Sequence, residues 1–120
     1  MNNLKIHSIE GKGDLNKECV WLDVLADIPN LDHYIICDTT YVNSVHISNE
    51  LRHMYWFKKI EVKKGDWIKL MTTRGTNTTR TNNRNTTTHI VYWQLDRTIW
   101  NKDGDAAVLF QVNTWNTTRA

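Results

Sequence analysis

The chain has 120 residues, 40% of them hydrophobic, with six Trp and a single Pro. That is the size of one domain with a core of its own, and the composition excludes disorder throughout. The net charge of +2 is too small to decide a partner, and the longest unbroken apolar run, "AAVLF", excludes a transmembrane helix. Charge is unevenly spread. Residues 1–57 hold eight acids against four Lys/Arg, a balance of −4, and residues 58–100 hold three acids against nine Lys/Arg, a balance of +6.

In chain order, "LKIHSIE" is the first strand candidate, and nothing before it resembles a signal peptide. The expected location is therefore the cytoplasm, unless the domain is excised from a longer protein. In "ECVWLDVLADI", Val20, Leu22, Val24, Ala26 and Ile28 share one face. Trp21, Asp23, Leu25 and Asp27 share the other, which predicts a half-buried strand. After the turn signal Pro29-Asn30, "HYIICDTTYV" reads as a second long strand, expected to form an antiparallel hairpin with the first. Cys19 and Cys37 lie in these two runs and are expected to be buried free thiols.

In "NSVHISNELRHM", Ser48 is placed to start a short helical turn through Met54, with an irregular connection as the alternative. "YWFKKIEV" is the next strand candidate. "KKGD" is a turn in which Gly65 takes a positive φ, and "DWIKLMTT" alternates again. Residues 72–88 hold only Thr, Asn, Arg and one Gly, and read as a long inter-strand loop. Within it, residues 74–86 are expected to be mobile, dispensable for folding and used for contact, against a plain solvated spacer. Asn77, Asn85 and Asn116 each begin an N-T-T glycosylation triplet, which the local composition explains. "HIVYWQL" follows as a strand. "NKDGD" is expected to be a hairpin turn with Gly104 in the left-handed conformation, rather than a calcium loop. "AAVLF" begins the last clear strand. About seven strands without a long helix predict an all-β domain, a sandwich or a barrel.

The second half resembles the lamin tail domain family over about residues 55–110. The resemblance rests on "YWF" at 55–57, on "VKKGDWIKLMTTRG" at 62–75 with Val62, Gly65, Asp66, Arg74 and Gly75, and on "IWNKDGDAAVLF" at 99–110 with Trp100, Asn101, Gly104 and Asp105. It implies an immunoglobulin-like antiparallel β-sandwich and a non-enzymatic interaction module that binds a protein partner. It carries over no catalytic residue, and Gly65, Asp66, Gly104 and Asp105 come with it as turn residues only.

No chemical motif competes with that reading. The five His are scattered, with no HxH or HExxH, so no metal site is expected and no cofactor is implied. Cys37 beside Asp38 lacks an identifiable base. Of the six Trp, most are expected in or near the core. Trp21 shares a mixed face with two Asp, where an exposed indole would mark a contact surface, Trp67 and Trp93 flank the long loop, and stacking on a sugar or base is the alternative role for the six. The alternative function is nucleic-acid binding through the basic 58–84 region. Lys58, Lys59, Lys63, Lys64, Lys69, Arg74, Arg80 and Arg84 would supply phosphate contacts there.

Overall fold

The computed structural model describes residues 3–43, 45–100 and 104–120, and period-two alternation becomes strand in most of the expected places. The strands are β1 (Leu4–Glu10), β2 (Cys19–Val24), β3 (Tyr34–Thr40), β4 (Met54–Trp56), β5 (Trp67–Met71), β6 (Thr78–Thr81), β7 (Thr87–Tyr92) and β8 (Asp105–Gln111). They form two sheets, ordered β1-β2-β5-β7-β6 and β4-β3-β8. The all-β sandwich is as expected, with eight strands among the described residues.

The two inner faces share one core. Val20, Leu22 and Val24 of β2, Ile68 and Leu70 of β5 and Val91 of β7 join Tyr34 and Ile36 of β3 in a single cluster. Phe57, Trp93, Ile99 and Trp100 complete it from the connections. Each fully buried aliphatic side chain contributes about 1.5–3 kcal/mol, so this alternation is what selects the register. Cys19 and Cys37 are buried free thiols, and burial raises the pKa of both. Among the described residues no helix is long and apolar enough to cross a membrane.

Five expectations need correction. First, β2 and β3 do not form a hairpin. β2 pairs with β1 and β5, whereas β3 pairs with β4 and β8. The chain between them changes sheets: Ile28 bridges to Val62, Leu31 N–H donates to the Ile60 carbonyl, and both side chains are buried. Anchoring those two apolar residues pulls the segment out of the plane that a hairpin would need. Second, of the two readings of Ser48–Met54, the irregular connection forms and the helical turn does not. The chain just before it is bridged at Tyr41–Ile47, and Met54 already belongs to β4. The one described helical turn is a 3₁₀ turn at Leu31–His33. "YWFKKIEV" likewise leaves the sheet after Trp56, because Phe57 turns into the core.

Third, the sandwich is not purely antiparallel, since β5 and β7 run parallel. The connection between them carries the fourth correction: residues 72–88 are not a structureless loop. Thr78–Thr81 form β6, an edge strand antiparallel to β7. The turn beyond it is closed by one side chain. Asn82 Oδ1 accepts from Arg84 N–H at 2.9 Å, Thr86 N–H at 3.2 Å and Thr86 Oγ1 at 3.0 Å. Asn85 takes the left-handed conformation, with φ 57°, which Asn tolerates better than most residues. Order here comes from backbone pairing and Asn side-chain bonds rather than apolar burial.

Fifth, "NKDGD" does not join two paired strands. β8 pairs with β3, Gly104 is not left-handed, and residues 101–103 lie outside the described residues. β7 and β8 lie in different sheets, and Ile99 and Trp100 are buried in the core between them. Asp105 opens β8 with its carboxylate 3.2 Å from Arg52 Nη2. The "KKGD" turn, by contrast, is as expected: Gly65 has φ 91° and Asp66 is buried behind it.

Candidate functional site

Register assigns the side chains of the five-stranded sheet. Val20, Leu22, Ile68 and Leu70 point inward, so their neighbours point out. One cross-strand row on the outer face runs Lys5, Asp23, Trp67, Thr88, Arg80, and the next runs Ser8, Trp21, Lys69, Ile90, Thr78. A register shift between Ile6 and Ser8 places exposed His7 on this face as well. The β6–β7 turn overhangs it.

A cleft of about 360 Å³ results, lined by His7, Glu10, Trp21, Trp67, Asn82, Asn83, Arg84 and Thr88. That volume lies at the lower end of small-ligand sites. Its walls are aromatic and set at right angles. The Trp21 and Trp67 rings meet edge to face, with centroids 6.0 Å apart and planes at 85°. His7 meets Trp67 at 4.9 Å and 72°. Both indoles are only partly buried. Each also carries a cation: Arg84 Cζ lies 4.6 Å from the Trp67 centroid and Lys69 Nζ lies 5.3 Å from that of Trp21.

Arg84 is fixed from three sides. It packs on Trp67, donates to the Gly65 carbonyl and stands 3.8 Å from the Asp23 carboxylate. The acid that Arg84 faces lies 61 positions earlier in the chain, on β2, where no local reading of the Thr/Asn/Arg segment would find it. The Asp66 carboxylate braces the same corner. It accepts from Lys63 N–H at 3.0 Å and Thr87 N–H at 3.1 Å, and lies 2.9 Å from His89 Nε2. Burial pushes the Asp66 carboxyl up, but these hydrogen bonds outweigh it and hold its pKa below the ordinary value.

The remaining basic residues are dispersed. Arg80 joins the outer face, opposite Thr88. Lys69 is on that face, packed on Trp21. Lys63 Nζ pairs with Glu61 at 3.3 Å, and Lys64 N–H donates to Asp27 at 2.8 Å in the turn before β5. Arg74 is exposed beyond β5, while Lys58 and Lys59 lie in the connection leaving β4. Sequence reading picked out Trp21 but not His7, Glu10 or Asn83 as its neighbours. The same parity that turned Trp21 outward would have placed Trp67 and Lys69 beside it.

A second exposed surface lies on the three-stranded sheet, where Met54, Trp56 and Phe110 are solvent-facing and Trp115 stacks edge-on against Trp56 at 5.2 Å. Among the described residues no three His, Cys, Asp or Glu gather to hold a metal ion. No protein-family model matches the chain, and neither a curated protein nor a solved structure matches it.

Proposed function

We propose that this chain is a non-enzymatic binding module that engages its partner through the outer face of the five-stranded sheet, with the Trp21–Trp67 cleft receiving a protruding group of that partner. The observation that carries the reading is two partly exposed, mutually perpendicular indoles held in a cleft on a sheet face. Two partly exposed indoles lose hydration cheaply when covered, and rigid rings cost little conformational entropy to order. The resemblance of residues 55–110 to lamin tail domains supports a module that works by contact with a partner.

The test is a fragment screen followed by two-dimensional NMR. Fragments that bind should perturb the indole N–H signals of Trp21 and Trp67 and the backbone of Asn83 and Arg84. Perturbations clustering elsewhere, or none, would sink the reading.

A second reading, single-stranded nucleic-acid binding, rests on Lys5, Lys69, Arg80 and Arg84 sharing this face with the indoles. Phosphate contacts by such a set would make affinity fall steeply with added salt.

A further inference from the structure

We propose that the cleft takes a neutral carbohydrate, a sugar ring seated against the indoles and hydrogen-bonded at its rim; this rests on the cleft being the binding site. Three features of the lining converge on that ligand class.

The first is charge. Of the lining residues, Arg84 is the one fixed cation and Glu10 the one carboxylate. Arg84 is already engaged by the Gly65 carbonyl and faces Asp23. A phosphate or sulfate entering here would meet Glu10 and Asp23 while the nearest guanidinium is held by other partners. A ligand cation would have to displace Arg84 or Lys69 from the indole faces they cover. A neutral ligand escapes the charge conflict, and it seats against the indole surface that Arg84 and Lys69 leave uncovered. Lys5 and Arg80 stand at the two ends of the row, outside the cleft lining.

The second is the supply of hydrogen-bonding groups. Among the described residues, the Asn83 amide and the His7 ring nitrogens have no hydrogen-bond partner. Glu10 Oε2 accepts only from the exposed Ser8 hydroxyl, at 3.0 Å. The set therefore offers acceptors and donors side by side on planar groups. Hydroxyl groups both donate and accept, so neighbouring hydroxyls on one ring can satisfy both. Asn82, by contrast, is consumed by its own turn and by Thr88 Oγ1 at 3.1 Å, so it shapes the site rather than contacting the ligand.

The third is shape. A pyranose has an apolar face of C–H groups and a polar rim. An indole wall with polar groups around it matches both, and apolar lining with a few placed polar groups is the common plan of small-ligand sites. A phosphodiester strand needs, in addition, a cationic groove along its backbone, and Glu10 on β1 and Asp23 on β2 interrupt the cations at that side of the face.

The experiment is titration of the intact chain with chitotetraose, cellotetraose and maltotetraose, followed by tryptophan fluorescence and calorimetry, with oligothymidylate in parallel. At least one oligosaccharide should give a saturable signal that is nearly independent of salt. Trp67→Ala should weaken it at least about tenfold, and Asn83→Ala, at the exposed turn, by a smaller factor with the fold intact. No saturable response to any of the three sugars at millimolar concentration would overturn the proposal. So would binding of oligothymidylate alone with steep salt dependence, which would establish the nucleic-acid reading in its place. If NMR fragments occupy the cleft while all three sugars fail, the carbohydrate assignment falls and the binding module stands. If neither binds there, both fall.

Discussion

The Glu18 carboxylate holds the backbone of Trp100, 82 positions further along the chain, accepting its N–H at 3.2 Å. The same carboxylate takes Ile99 N–H at 3.0 Å, Thr72 Oγ1 at 2.7 Å and Gly13 N–H at 3.2 Å. Glu18 is fully buried, so these four donors satisfy a charge that would otherwise be very costly to place there. One side chain thus ties the β1–β2 turn, the end of β5 and the buried Ile99–Trp100 segment together.

Glu18→Gln should lower stability by about 2 kcal/mol, because the amide presents N–H to a set of donors. Urea unfolding should show a reduced midpoint with an unchanged slope. A midpoint equal to the parent's would mean that the network is incidental.

Asp66 gives a pH-dependent prediction. Its folded pKa is depressed, so the stability it contributes is complete above the unfolded carboxylate value of about 3.9 and is lost as pH falls through the lower folded value. Asp66→Asn should therefore melt lower at neutral pH, by about 1–3 kcal/mol. The gap to the parent should narrow as pH drops below about 4. A gap that stays constant down to acid would show that ionisation of Asp66 is irrelevant to the turn.

Two glycines should behave oppositely. Gly11 has φ 65°, and a Cβ there would lie 2.5 Å from the Lys17 carbonyl oxygen. Gly11→Ala should cost about 1–2 kcal/mol or more, through clash and backbone strain together. Gly104 has no left-handed requirement and open space around it, so Gly104→Ala should stay within about 0.5 kcal/mol. Calorimetric melting of the pair tests both at once.

Limited trypsin digestion addresses the Thr/Asn/Arg segment. Arg80 lies in β6, and Arg84 is held by Gly65, Asp23 and Trp67. Neither bond should be cut while the protein is folded. Asn82→Ala removes the acceptor that closes the turn and should admit cleavage at Arg84, with a stability loss of about 1 kcal/mol. Rapid cutting at Arg80 in the parent would restore the mobile-loop expectation.

What could be read in the residues was parity and turn chemistry. Val20, Leu22 and Val24 against Trp21 and Asp23 define which face is inner, and Gly65-Asp66 defines a turn. The pairing direction of β5 and β7 was not legible, because alternation is the same in parallel and antiparallel strands. β6 was hidden for another reason: "TTRT" has no apolar member, and its order comes from the backbone of β7 and from Asn82, which composition does not display. Glu18 looks in sequence like any exposed acid preceding a strand. The cleft was half legible. Trp21 declared itself by sharing a face with Asp23, whereas His7, Glu10 and Asn83 arrive through a register shift and a turn.

The parallel seating of β7 has a consequence for synthesis. β7 lies between β5 and β6, yet it is made after both. As the chain emerges, β5 is completed first and presents an open hydrogen-bonding edge, with β6 unable to cover it. That edge stays bare until Tyr92 has been added, when the incoming strand fills the gap from within. A nascent chain stalled between Met71 and Tyr92 would carry this edge uncovered and open to pairing with a neighbour. The polar Thr/Asn/Arg composition of the intervening residues would keep that waiting stretch solvated, offering no sticky strand of its own.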